Sequence, residues 1–150
     1  MREIKFRAKV CKPLTEVIFI PSYRKEGEWV IGDLHLRTNI PHIHECGNDK
    51  FPININTIGQ FTGLQDSKGN DIYEGDILCI KQHELDILRG TFRETEIICV
   101  VEFRNGAFIP VMKDGKGYCW SNFIYDKMPT ADYTIIGNIQ DNPELMEANQ

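Results

Sequence analysis

A chain of 150 residues, 41% apolar and 10% aromatic, carries enough core-forming material for one globular domain, and the expectation is a single domain over 1–150. Its 22 acidic and 17 basic residues leave a net charge of −5, which argues against a nucleic-acid partner, because such domains usually present a basic face. No apolar run approaches the roughly 20 residues of a membrane span. The opening Met1-Arg2-Glu3-Ile4-Lys5 also lacks a signal-peptide core, so a cytoplasmic protein with no membrane partner is expected.

Ile4, Phe6, Ala8 and Val10 alternate with Glu3, Lys5, Arg7 and Lys9, the period-two pattern of a half-buried strand with a basic row on its outer face. Lys12-Pro13 ends it. Residues 1–13 hold five basic side chains against Glu3, whereas 126–150 hold five acidic ones against Lys127; two solvated faces are the simpler reading of that asymmetry. Val17–Ile20 is a short apolar run stopped by Pro21. Glu28–Arg37 is the next strand, with Val30, Gly32, Leu34 and Leu36 on one face, and Gly32 leaves room for a close approach or a bulge. Residues 39–56 are the least regular part, broken by Pro41, Gly47 and Pro52.

The stretch Ile58–Leu78 organises the middle of the chain. Asp66-Ser67-Lys68-Gly69 reads as a type I turn, in which Asp accepts backbone N–H groups and Gly supplies a left-handed conformation. Glu74-Gly75-Asp76 is a second turn, and Gly63, Gly69 and Gly75 stand where the chain would reverse. Ile77–Lys81 then runs as a strand, and Glu84–Glu96 is a loop, a helical turn or a long hairpin tip. Ile97–Phe103 is nearly continuously apolar, so both faces should be covered. Asn105-Gly106 joins it to Ala107–Val111 by the strongest short-range hairpin signal. After the turn Asp114–Gly117, Ser121–Met128 is a short helix or a connector, and Tyr133–Ile139 is the last strand. Asn142-Pro143 opens a one-turn helix with an N-cap and Pro at the first helical position. The pattern implies a mainly β fold: a small, partly open β-barrel or a sandwich of six to eight short strands, with one or two short helices.

His42-Ile43-His44-Glu45-Cys46 is the best candidate for chemistry. Residues two apart on an extended segment project to one side, so His42, His44 and Cys46 could converge on one ion. A fourth ligand would then come from His35, His83 or a carboxylate. The competing reading, a polar loop whose histidines face water, is the favoured one. Asp66, Asp71, Glu74 and Asp76 form an acidic cluster, but Lys68 breaks the calcium-loop pattern and turn chemistry accounts for each acid. Neither Ser67 nor Ser121 has a nucleophile-elbow setting. Five cysteines (Cys11, Cys46, Cys79, Cys99, Cys119) form no CxxC pair, and Cys79 and Cys99 sit in apolar runs as small buried hydrophobes. No catalytic or cofactor-binding residue emerges, and no cofactor is expected.

Three blocks together resemble the YopX family of phage and prophage proteins. They are Gly27-Glu28-Trp29-Val30 with Gly32-Asp33-Leu34, the central IGQFTGLQDSKGNDIYEGDIL, and IIGNIQDNPELME preceded by VVEFRNGAF; the opening IKFRAK is similar as well. The resemblance implies a phage or prophage origin in a bacterial host cell and a β-rich fold. It implies no activity and no site residues. The expected function is therefore a non-enzymatic accessory protein, a binding or assembly module that meets itself or a phage or host protein. The alternatives are nucleic-acid binding through the basic N-terminal strand, and metal binding through His42, His44 and Cys46.

Overall fold

The N-terminal alternation does become a strand, β1 (Phe6–Lys9), and it lies between two others, β2 (Trp29–His35) and β5 (Gly59–Gln65). The computed structural model describes residues 3–12, 24–36, 40–45, 49–86, 91–116 and 131–147. Val17–Ile20, Cys46, Cys119 and Ser121–Met128 lie outside them. The chain divides into two compact units, Met1–Gly63 and Leu64–Gln150.

In the first unit, β2 pairs antiparallel with β3 (His42–His44), which pairs with β4 (Lys50–Pro52); a single 3-10 turn follows at Ile55–Thr57. Residues 39–56 are thus more regular than their prolines imply, because strands of three residues fit between the breaks. The inward faces supply Ala8, Val10, Val30, Ile43, Phe51 and Ile53, with Phe6, Leu34 and Ile58 packed against them. Each fully buried large side chain there contributes about 1.5–3 kcal/mol. Thr57 ties the helical turn to β1: its hydroxyl accepts from Lys9 N–H at 2.9 Å and donates to the Asn54 carbonyl at 2.7 Å. Leu36 does not join the buried face, because β2 ends at His35 and leaves Leu36 53% exposed.

The second unit holds β6 (Asp71–Tyr73), β7 (Asp76–Asp86), β8 (Thr91–Arg104), β9 (Ala107–Met112), β10 (Ala131–Asn138) and a 3-10 turn at Pro143–Met146. Within Glu84–Glu96 the described residues belong to a long antiparallel pair, with β7 and β8 in register from Ile77↔Val100 to Asp86↔Thr91. Asn105 and Gly106 turn β8 into β9 with φ of 52° and 82°, the two positive values of a type I′ turn. Ile72, Leu78, Ile80, Cys99 and Val101 form the buried centre, surrounded by Leu64, Ile97, Phe108, Tyr133 and Ile135.

The fold is mainly β, as its periodicity requires: a six-stranded sheet in the order β4-β3-β2-β1-β5-β6 and a four-stranded sheet in the order β10-β7-β8-β9, neither closed into a barrel. The described residues make ten strands, more than six to eight, because three of them are only three residues long. Asn142 precedes the last helical turn, with Pro143 at its start, yet its side chain makes no capping bond. Instead its Oδ1 lies 2.6 Å from where a Cβ on Gly137 would stand.

Both outer strands of the four-stranded sheet are blunted against further pairing. On β10, Ile135 N–H donates to the Asp66 carboxylate at 3.2 Å, while the Tyr133 carbonyl accepts from Ser67 N–H at 2.9 Å and from its hydroxyl at 2.7 Å. On β9, Pro110 has no N–H to offer, and Met112 N–H already donates to the Lys116 carbonyl at 2.9 Å. Each backbone group engaged or missing in this way makes the edge a poorer template for another strand.

Candidate metal centre

Antiparallel pairing of β2 with β3 sets His35 directly opposite His42 and Asp33 opposite His44. Because alternate strand residues share a face, all three imidazoles stand on one side of the sheet, while Leu34 and Ile43 between them enter the core. The rings are stacked: His35 and His44 have centroids 4.0 Å apart, His42 and His44 4.8 Å, and His35 and His42 5.3 Å. One nitrogen from each of the three lies within 4.8 Å of the others.

His42 Nδ1 lies 3.1 Å from the Ile40 carbonyl, an acceptor that requires the proton on Nδ1, so in the neutral ring Nε2 is the nitrogen able to ligate. His44 Nε2 is buried with no hydrogen-bond partner. Burial lowers the His44 pKa below 6.5, the neighbouring His35 and His42 and the Lys50 charge lower it further, and Asp33 opposes them. The neutral, ligating form is thereby favoured. Gly32 lets β3 come this close: a Cβ there would stand 1.9 Å from the His44 carbonyl oxygen. Glu45 is engaged by an ion pair with Arg24.

Of the residues singled out by their spacing, His42 and His44 do converge, and the histidine brought to them is His35. Cys46 lies outside the described residues, as does the side chain of His83 on β7. The polar-loop reading gives way here, since His42–His44 is a paired strand and only His35 is exposed. His35 was visible only as one of several optional ligands, because spacing along the chain cannot reveal which strand pairs with β3.

The acidic cluster serves the turns. Asp66 accepts from Lys68 N–H (2.9 Å), Asn70 N–H (2.8 Å) and Asn70 Nδ2 (3.1 Å) as well as Ile135 N–H, and Gly69 N–H donates to its carbonyl at 2.9 Å. Burial pushes the Asp66 carboxyl up, but the bonds from Asn70, Ile135 and Lys68 together outweigh it and hold the pKa below 3.8. Asp76, also buried, accepts from Tyr73 N–H at 2.7 Å across the Glu74-Gly75 turn. Gly69 and Gly75 have φ of +84° and +83°; Gly63, at +86°, lies within β5, so the strand runs on through it and the chain does not reverse there.

The basic row of β1 meets aromatic rings of its own unit. Lys5 Nζ sits 4.5 Å from the Phe61 centroid, and Arg7 and Lys9 lie 4.7 and 5.5 Å from that of Trp29. Among the described thiols Cys99 is the least nucleophilic: burial, then Cys79, pushes it up to about 12, and burial leads a rise at Cys11 and Cys79 as well. No described helix is long and apolar enough to cross a membrane.

The chain is similar to protein EF1440 from Enterococcus faecalis, a crystal structure of 25% sequence identity whose match covers 98% of this chain and 100% of that one, with a TM-score of 0.46. No curated protein matches. The family model described as YopX protein matches residues 5–147, nearly the whole length, and the chain therefore belongs to the YopX family.

Proposed function

We propose that this chain is a non-enzymatic accessory protein of a phage or prophage, a binding or assembly module that works through the surface of its first unit. The observation that carries the reading is apolar surface left in water. Ile4, Ile31, Leu36 and Ile55 are 45–64% exposed, although the same unit buries Val10, Val30, Ile43 and Ile53, residues of the same kind, in its core. Covering such side chains stabilises an association by about 25 cal/mol for each Å² removed from water. A second copy of the chain is the simplest partner, and a phage or host protein the other.

Light scattering of the untagged protein across a concentration series tests the reading. Self-association is expected, and Ile31→Glu with Leu36→Glu should abolish it while circular dichroism stays unchanged. A monomer at every concentration, together with no phage or host protein retained from infected cells in a variant-sensitive manner, overturns it.

A further inference from the structure

We propose that His35, His42 and His44 bind one divalent transition-metal ion of the zinc class, clipping the end of β2 to β3. The inference stands on geometry separate from the exposed apolar surface and survives if the assembly reading fails.

Three observations carry it. One nitrogen of each ring already lies within 4.8 Å of the other two, and a tetrahedral ion with metal–nitrogen bonds near 2 Å needs its donors roughly 3.3 Å apart, so binding requires a small side-chain rotation. The second is orientation: the 3.1 Å contact from His42 Nδ1 to the Ile40 carbonyl is the backbone bond that ligating histidines commonly make through their other nitrogen. The third is an unmet need. His44 Nε2 is buried without a partner, and a buried polar atom left this way costs about 1–3 kcal/mol, which a coordinated ion would offset.

Stacking of the three rings could by itself account for their proximity, but stacking leaves His44 Nε2 unsatisfied. A donor set made only of imidazole nitrogen suits zinc, nickel or copper and is poor for magnesium or calcium, which prefer oxygen. His35, the exposed member, gives the ion a way in. Three protein ligands leave one coordination position for water or an outside donor.

The test uses the full chain without a histidine tag. Titration calorimetry with zinc should give one ion per chain, and magnesium under the same conditions should give no heat. His35→Ala and His42→Ala should each weaken zinc binding at least about tenfold, whereas His83→Gln should leave it unchanged. Should a histidine variant fail to fold, nitrogen-15 spectra of the wild-type rings keep the proposal open to refutation: zinc should shift His42 Nε2 and leave Nδ1 bearing its proton. Zinc binding no tighter than that of free imidazole, equal loss in His83→Gln, equal binding of magnesium, or unshifted ring nitrogens each overturns it.

Discussion

The Asp66 carboxylate accepts a 3.2 Å hydrogen bond from the backbone N–H of Ile135, 69 residues further along the chain. One side chain therefore closes its own turn and occupies a donor on the outer edge of β10. Local turn chemistry and tertiary structure share an atom.

Asp66→Asn should destabilise the second unit by about 1–3 kcal/mol, since an amide nitrogen would then face N–H donors. Because the folded pKa is depressed, the carboxylate's contribution is present in full above the unfolded value of 3.8 and is lost as pH falls through the lower folded value. Denaturant melts from pH 6 down to pH 2 should show stability dropping below about pH 4 in the wild type and a shallower decline in the variant. Equal slopes would remove Asp66 from the acid response.

Gly32→Ala should be among the most damaging single changes in the first unit. Its Cβ would stand 1.9 Å from the His44 carbonyl oxygen, and that obstacle is backbone, which cannot rotate away. A loss above about 4 kcal/mol is expected, with β3 displaced from β2. Thermal melts give the cost, and amide exchange at Ile43 and His44 reports the displacement.

Gly106→Val isolates conformational strain from crowding. Nothing lies within 4 Å of the position a Cβ would take, yet φ is +82°. The cost should be about 1–2 kcal/mol, read from denaturant unfolding, and it should appear mainly in the β8–β9 hairpin. A neutral substitution would mean that the turn relaxes into another type.

Cys99 should resist alkylation in the folded protein while Cys11 and Cys79 react. Cys99 is fully buried and its thiol is pushed up to about 12, so almost no thiolate exists at pH 8, whereas the other two are partly exposed. Timed iodoacetamide labelling followed by peptide mass mapping checks the order. Early labelling of Cys99 would show that the β7–β8 core opens more readily than its packing implies.

Much of the β architecture was legible from short-range chemistry. Asn105-Gly106 named its hairpin because few residues tolerate two successive positive φ values, and Asp66–Gly69 named its turn because a carboxylate placed there can collect local N–H groups. The boundaries were harder. Glu84–Glu96 concealed part of a long antiparallel pair, since its charged residues give no alternation to read. Asn142 has the right identity and position for a helix cap, but its side chain turns to Gly137, 5 residues back, a packing preference that no cap rule contains.

The candidate metal centre divides in the same way. The chain alone specified that His42 and His44 would share a side if their segment were extended, because strand geometry alternates strictly by two. It also placed a glycine at position 32, where a close approach could occur. Tertiary structure alone decided that β2 lies beside β3 in the register that sets His35 against His42, and that the His44 carbonyl fills the space Gly32 leaves open. Periodicity along one strand is encoded by neighbouring residues, but which strands meet, and in what register, depends on burying Leu34, Ile43 and Phe51 together.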